Sequence, residues 1–262
     1  MSFLHFFVRD FIQTVKTYRE VFQFIIKNKL WKGFAEYSWV SNFMLLIGAI
    51  ISLRFGGIIG NWVDQTAVQG MSMASVSNLF VETFHEGQEL FMMSGFKYVI
   101  LILLEVVIFH FARKTLEVLS REVAQATLKD FMAAQVRMFK VVIFSYAMET
   151  MFSIIAKMLL STVGLDVLEV VAVFLIQSFF LGFAVVDNYN EIFEMSIKNS
   201  FKFTRQYAGV AIGVGVVIYV LMLVPVIGAV LAPLLGAVTA TMVMYELNKE
   251  DDSMEDFLVA VE

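Results

Sequence analysis

The sequence predicts an all-α integral membrane protein with two long transmembrane helices, two re-entrant or spanning helical hairpins and an N-terminal amphipathic helix. Of its 262 residues, 59% are hydrophobic and only 16% are charged, and the mean hydropathy is +0.78. A soluble domain is nearer half apolar and about a quarter charged. Uncharged stretches long enough to cross a bilayer also recur along the chain. These observations favour a single membrane domain, residues 1–246, followed by an acidic tail, residues 247–262.

The composition argues against several other classes of protein. The net charge of −5 comes largely from Glu246–Glu262, which contains seven carboxylates and one lysine, so no basic surface for nucleic acid is expected. Cysteine is absent, and the three histidines lack the spacing of metal ligands. No nucleophile elbow, phosphate-binding loop or dinucleotide-binding motif occurs in the sequence. We therefore expect no enzyme activity, no metal and no other cofactor.

The first segment, residues 1–33, is predicted to be an amphipathic helix in the headgroup plane of the membrane. Its apolar side chains recur at three- and four-residue steps with cations between them, which is typical of an interfacial helix. The next stretch, 37–54, is charged only at its last residue and is predicted to be the first transmembrane helix. Residues 55–89 contain glycine, serine and acidic side chains and are predicted to form a loop with short helices.

The second transmembrane helix is predicted at residues 90–111. Neither glycine nor proline occurs between Phe96 and Val163, so nothing in the sequence stops this helix at the membrane surface. We expect a cytoplasmic helical extension over 112–140, in which the chain turns near 125–135 and returns to the membrane.

Two paired apolar segments follow, hairpin one at 141–186 and hairpin two at 206–245. Hairpin two carries no charged residue between Gln206 and Tyr245, even at its turn. A turn in bulk water does not need to be so apolar, whereas a turn buried at membrane depth does. The pattern favours a re-entrant hairpin, with two full spans as the alternative. The turn itself is predicted to be formed by Pro225, Gly228 and Pro233.

The distribution of Lys and Arg predicts the topology. Residues 1–33 and 112–140 contain six each and 187–205 contain three, whereas 54–97 contain two and 161–169 none. Positive segments stay in the cytoplasm. The expected arrangement is a multi-pass protein of the cytoplasmic (inner) membrane with both termini in the cytoplasm and both hairpin turns directed outward.

Charged residues within the apolar segments are candidates for a permeation path, because charge at bilayer depth is costly and often functional. On helix 141–160, four polar residues at four-residue steps form one stripe, and Glu105 lies in the second transmembrane segment. The alternative is that these charges pair across helices or face a neighbouring subunit. The candidate stripe comprises Ser145, Glu149, Ser153 and Lys157, together with Glu105.

Basic residues near the predicted cytoplasmic surface are a second set of candidates. They are candidate contacts for a small anion, and the alternative is that they only anchor the chain at the membrane surface. Asp187 ends an apolar helix and is expected to form a salt bridge or an interfacial cap. The candidate anion-contacting residues are Lys29, Lys32, Lys202 and Arg205.

Several motifs resemble those of the CysZ-like sulfate permease family, which shares a domain with the etoposide-induced membrane proteins. Leu181–Asp187 resembles the family's apolar helix ending in Asp, and Ser200–Arg205 resembles the basic connector that follows it. Val224–Pro233 resembles its turn with two prolines eight residues apart, and Lys32–Asn42 resembles its N-terminal motif. The resemblance implies two long transmembrane helices, two pairs of helices that enter and leave without fully crossing, and assembly as an oligomer.

The sequence leaves two functions open. The first is transport of a small solute across the cytoplasmic membrane, with sulfate or a related anion as the solute that the family resemblance implies. The alternative is a non-transporting membrane scaffold or assembly partner, whose contact surfaces would be the N-terminal helix, the 112–140 extension and the acidic tail. In either case the lipid bilayer is the first partner, and a homo-oligomer is expected.

Overall fold

The computed structural model describes residues 3–32, 95–121, 127–162, 164–222 and 227–251, together with residues 60, 63 and 64. This described part is all-helical and contains no strand. Its seven helices are α1 (Phe3–Asn28), α2 (Phe96–Ser120), α3 (Leu128–Thr162), α4 (Asp166–Ile192), α5 (Ile197–Gln206), α6 (Ala208–Met222) and α7 (Ile227–Asp251).

Three helices of the described part are long and apolar enough to cross a membrane. The bent pair α5 and α6, with 94° between the two helices, provides a fourth if it is counted as one span. Helix α2 has 25 residues but is not among the three, and it carries Lys97, Glu105 and Arg113. The architecture is that of an α-helical membrane protein. The three candidate spans are Leu128–Thr162, Val167–Ile192 and Gly228–Lys249.

Helix α1 packs against α6 and α7. A Cβ atom added to Gly213 of α6 would lie 2.9 Å from Cβ of Thr14, so the two helices approach closely where the glycine lacks a side chain. Asp10 and Thr14 are buried at this contact, whereas the apolar residues Leu4 and Phe22 are exposed. The helix therefore turns a partly polar face to the protein and leaves apolar side chains exposed.

Helix α2 ends and helix α3 begins within the predicted cytoplasmic extension, 112–140. Helix α2 ends at Ser120, and Arg121 adopts a left-handed backbone conformation with φ of 59°. Helix α3 then begins with a capping box, in which the Thr127 amide donates to the Asp130 carboxylate at 2.7 Å and the Asp130 amide donates to the Thr127 hydroxyl at 3.4 Å. Helix α3 is therefore already formed at Leu128, within the range 125–135 near which the turn is predicted, and residues 122–126 lie outside the described part of the chain.

The hairpin predicted at 141–186 corresponds to α3 and α4, which pack against each other. Their turn contains Gly164, whose φ of 72° favours glycine over residues with a Cβ atom. Helix α4 also packs closely on α6, because a Cβ atom on Gly215 would lie 2.6 Å from the Ser178 carbonyl carbon. These contacts make α4 the centre of the bundle, and every residue from Phe180 to Asn190 is buried.

The second predicted hairpin, 206–245, corresponds to α6 and α7, and its turn lies between Met222 and Ile227. Gly228 packs against the backbone of Leu221 across this turn, where no side chain would fit. Pro233 does not belong to the turn, because the structure places it inside α7. One missing backbone donor near the start of a helix packed among neighbours is tolerated there. Pro225 and the first predicted span, 37–54, lie outside the described residues.

Candidate functional site

Two groups of buried polar side chains lie within the bundle. The first, here called the Lys97 cluster, is built on the beginning of α2 and the middle of α3, with contributions from α4 and α6. The second, here called the Arg137 cluster, joins the early part of α3 to the end of α4 and to α5. The Lys97 cluster comprises Lys97, Tyr98, Glu149, Gln177 and Tyr219, and the Arg137 cluster comprises Glu105, Arg137, Asp187, Asn190, Glu191, Ser200 and Thr204.

The Lys97 cluster is centred on a fully enclosed ion pair. Lys97 Nζ lies 2.8 Å from Glu149 Oε1, and both side chains are only 1% exposed. The Tyr98 hydroxyl donates to the second carboxylate oxygen, Oε2, at 2.7 Å. Both oxygens of Glu149 are therefore hydrogen-bonded, which meets the condition for keeping a carboxylate in a low-dielectric interior.

Aromatic rings surround the ammonium group of this pair. Lys97 Nζ lies 5.3 Å from the ring centroid of Tyr98 and 5.1 Å from that of Tyr219, so both rings contribute cation–π attraction. The Tyr219 hydroxyl in turn donates to Gln177 Oε1 at 2.8 Å. The polar network thus extends from α2 through α3 and α6 to α4.

The predicted stripe on α3 is buried over three of its four positions. Ser145, Glu149 and Ser153 all face the protein, and neither serine hydroxyl has a hydrogen-bond partner within the described part of the chain. Lys157 differs, since it is exposed near the hairpin tip, where most side chains of α3 and of the beginning of α4 are exposed. The structure therefore brings together Ser145, Glu149 and Ser153, and it separates Lys157 from them.

The Arg137 cluster contains a bidentate ion pair between Arg137 and Asp187. Arg137 Nε and Nη2 each lie 2.8 Å from one oxygen of the Asp187 carboxylate, and Nη1 donates to the carbonyl of Met195. The pair with Arg137 confirms the expectation that Asp187 forms a salt bridge. The Ser200 hydroxyl also donates to the Asp187 carboxylate. The guanidinium fork fits a carboxylate better than an ammonium group would.

The remaining members of the Arg137 cluster extend it on both sides. Asn190 donates to the hydroxyls of Ser200 at 2.9 Å and Thr204 at 3.1 Å, which attaches α5 to α4. Arg137 Nε is also 3.7 Å from Glu191 Oε2. Glu105 is only 1% exposed, and its Oε2 atom has no hydrogen-bond partner among the described residues. The Glu105 carboxyl, which lies on α2, interacts electrostatically with Glu191, Asp187 and Arg137 and forms a side-chain hydrogen bond with Asn188. It therefore belongs to this cluster rather than to the stripe with which it is predicted.

A block of aromatic side chains adjoins the two clusters. Phe144 of α3 lies in sequence between Arg137 and Glu149, and its ring centroid is 5.1 Å from that of Phe201 and 6.0 Å from that of Phe183. Phe183 and Phe201 are themselves 5.3 Å apart in an edge-to-face contact. These ring contacts join α3, α4 and α5.

The predicted anion-contacting residues do not converge on one site. Lys29, Lys32, Lys202 and Arg205 are all exposed, and no salt bridge involves them within the described ranges. Lys202 and Arg205 lie on α5, whereas Lys29 and Lys32 follow the end of α1. Their placement is that of separate surface cations.

The described residues contain no group of three or more His, Cys, Asp or Glu side chains that could hold a metal ion. Sequence reasoning missed Tyr98, Gln177 and Tyr219 as partners of the buried pair. Tyr98 carried one signal, since it directly follows a charged residue in an otherwise apolar helix. Gln177 and Tyr219 carried none, because a single polar group in an apolar helix does not indicate which helix it faces.

The fold and the two clusters define a class, that of α-helical membrane proteins whose packed helices enclose ion pairs. No family model matches the chain, and comparisons with curated proteins and with solved structures found no significant match.

Replacing Arg137 with lysine is expected to weaken the attachment of α3 to the end of α4, because Arg137 lies on α3 and Asp187 on α4. Lysine keeps the charge but loses the paired donors that hold Asp187, so we expect a loss of roughly 1.5–3 kcal/mol, the value of a hydrogen bond to a charged group. The measurement is the thermal unfolding midpoint in mild detergent. Lys202→Arg is the matched control, since Lys202 is exposed on α5, and an unchanged midpoint for Arg137→Lys would contradict the assigned role.

Proposed function

We propose that this protein transports a small anion of the sulfate class across the cytoplasmic membrane. The observation that carries the proposal is the fully buried Lys97–Glu149 pair, set among polar groups that run along one face of α3. Charges in membrane-spanning segments are rare and commonly mark a pathway for ions or substrates. The resemblance of three C-terminal motifs to the CysZ-like family adds the class of solute.

The geometry offers a chemical basis for anion passage. Lys97 is the one cation in the Lys97 cluster, and Glu149 neutralises it when no solute is present. A tetrahedral oxyanion accepts from an ammonium group and from hydroxyls, the donors that Lys97, Tyr98, Ser145 and Ser153 supply. In the proposed cycle the anion replaces Glu149 as the partner of Lys97, and the aromatic block beside the path limits leakage.

The polar face of α3 gives the path a direction. Arg137, Val141, Ser145, Glu149 and Ser153 follow one another at four-residue steps, so each lies one turn beyond the last, along a strip that winds slowly around α3. Val141, like the two serines and Glu149, is buried. The proposed path thus runs from the Arg137 cluster, past one apolar position, to the Lys97 cluster. With both termini in the cytoplasm, as the Lys and Arg distribution predicts, the Arg137 cluster lies on the cytoplasmic side.

We also propose that the transporter is a homo-oligomer. Only 28% of the apolar window of Leu128–Thr162 is buried within one chain. On the neighbouring helix, Val167 and Val170 are 79% and 70% exposed. Lipid alone can cover this surface, but the family resemblance favours a second copy. A scaffold that uses the same surface for other membrane proteins is the alternative function.

The experiment is uptake of radiolabelled sulfate into liposomes that contain the purified protein. Glu149→Gln keeps the shape of the side chain but leaves Lys97 without an anionic partner. We expect bound sulfate to be released more slowly, and uptake to fall about tenfold, which corresponds to about 1.4 kcal/mol in the barrier.

Lys157→Gln is the matched control, because Lys157 lies on the same helix but is exposed. Its uptake rate should equal that of the unmodified protein. Unchanged uptake in folded Glu149→Gln protein would remove the pair from the path. If the unmodified, folded protein takes up no sulfate and instead purifies with other membrane proteins, the scaffold function is correct.

A further inference from the structure

A surface groove of about 1060 Å³ lies between the beginning of α3 and the region where α4 leads into α5. Three apolar side chains at four-residue steps on α3 form its floor, Leu128, Met132 and Val136, which are 51%, 62% and 57% exposed. The other wall includes Glu191 and Ile197. So much exposed apolar surface in one strip marks a contact site.

The groove is also basic. Lys129, Arg137 and Lys140 line it, against one lining carboxylate, Glu191. Arg137 is engaged by Asp187, whereas Lys129 and Lys140 form no salt bridge within the described ranges. Lys129 and Lys140, the cations of the groove without a salt bridge, therefore lie beside its apolar strip. This arrangement suits an occupant that is both acidic and apolar.

The position of the groove argues against filling by lipid chains. Helix α3 has 35 residues and is therefore about 52 Å long, well beyond the roughly 30 Å of a hydrocarbon core. Its first 13 residues, Leu128–Lys140, include Lys129, Asp130, Arg137 and Lys140, whereas the 22 that follow include only Glu149 and Lys157. The groove lies on the charged part, which belongs at or beyond the headgroups.

The C-terminal segment of the sequence has the matching chemistry. Residues 252–262 contain four carboxylates and no cation. Met254, Phe257, Leu258 and Val261 follow the spacing i, i+3, i+4, i+7, which places four apolar side chains on one face of a helix.

The same segment is within reach of the groove. Helix α7 ends at Asp251, and its Asn248 donates to the Tyr189 hydroxyl at 2.8 Å, two residues before Glu191 of the groove wall. Eleven further residues span up to about 36 Å when extended. The groove therefore lies well within the distance that this segment covers.

We propose that residues 252–262 bind in this groove of the same chain, with the apolar face of the segment on Met132 and its carboxylates beside Lys129 and Lys140. The interaction attaches the cytoplasmic ends of α3 and α7 to each other across α4. It is independent of whether the protein transports sulfate.

Disulfide formation tests this contact directly, because the natural chain contains no cysteine. The full-length double variant Met132→Cys with Leu258→Cys is oxidised in membranes, and the product is identified by intact mass. The matched control is Ile12→Cys with Leu258→Cys. Ile12 is 45% exposed and lines a second groove beside Glu246 of α7, so the tail can also reach it. We expect about tenfold more intrachain disulfide for the Met132 pair, as a specific contact raises effective concentration.

A charge exchange in the Met132→Cys, Leu258→Cys background tests the electrostatic part. Lys140→Glu should reduce the disulfide yield, and adding Asp256→Lys should restore it. Equal yields for the Met132 and Ile12 pairs would overturn the proposal. It would also be overturned by disulfides that form only between chains, or by a yield that Lys140→Glu leaves unchanged.

Discussion

Replacing Lys97 with methionine is expected to destabilise the folded protein by about 3–5 kcal/mol, because removal of one partner from a buried ion pair leaves the other charge without compensation. Methionine has nearly the length of lysine, so the expected loss comes from charge rather than volume. Glu149 would retain only the Tyr98 hydroxyl at 2.7 Å, with no cation in contact. The measurement is the free energy of unfolding from titration of detergent-solubilised protein with a denaturing detergent.

A double-mutant cycle measures the interaction between Lys97 and Glu149 separately from the other contacts of the two side chains. Lys97→Met combined with Glu149→Gln should recover most of the lost stability, because the glutamine is neutral and can still accept from Tyr98. Lys157→Met is the matched single control, since Lys157 is exposed on the same helix, and it should change stability little. A Lys97→Met protein as stable as the unmodified one would show that Glu149 does not depend on this cation.

The sequence allowed the long apolar helices of the described part to be predicted, but neither the short helix α5 nor the partners of the buried charges. Lys97 and Glu149 are 52 positions apart, and neither hydropathy nor spacing indicates that they meet. Helical period did predict that Ser145, Glu149 and Ser153 share one face, and that face is buried. The same period included Lys157. The prediction does not hold for Lys157, because the helical period gives only the direction in which a side chain points. Whether that side chain is buried depends on whether neighbouring helices cover that part of α3.

The second hairpin shows a different limit of sequence reasoning. Proline and glycine are strong turn signals, so the sequence predicts one turn that contains Pro225, Gly228 and Pro233. Gly228 does lie beside the turn, against Leu221, whereas Pro233 lies inside α7. Proline is disfavoured within helices of soluble proteins, but helices packed among neighbours tolerate the missing donor. Proline is therefore a weaker turn signal in a membrane-spanning helix than in the helices of soluble proteins.

The glycines of α6 allow close packing against two neighbouring helices, whereas their spacing in the sequence does not identify either neighbour. Gly209 and Gly213 are four apart, which predicts close helix packing. In the structure these two face α1, while Gly215 faces α4. The short helix α6 thus has glycines on two sides, and both α1 and α4 pack closely against its backbone. The sequence predicted the close packing, but only the fold identifies both partners.

Replacing Gly215 with alanine is expected to cost about 3 kcal/mol or more, because it forces α4 and α6 apart. The added Cβ would lie 2.6 Å from the Ser178 carbonyl carbon and 2.9 Å from its Cα, and neither of these backbone atoms can rotate away. The neighbouring contact of Gly182 with Ala211 would loosen as well, since it lies on the same interface. The measurement is the unfolding midpoint in mild detergent, together with the yield of monodisperse protein.

Gly95→Ala is the matched control, because Gly95 has a negative φ of −87° and a Cβ atom there would meet no described atom within 4 Å. Its midpoint should stay within a few degrees of the unmodified protein. Alanine also raises helix propensity relative to glycine, by about 1 kcal/mol in a helix interior, so intrinsic propensity alone would make Gly215→Ala stabilising. The two causes thus predict opposite signs at Gly215. A stable Gly215→Ala protein would mean that α4 and α6 are farther apart than their packed backbones indicate, and the position of Gln177 beside Tyr219 would then have to be revised with them.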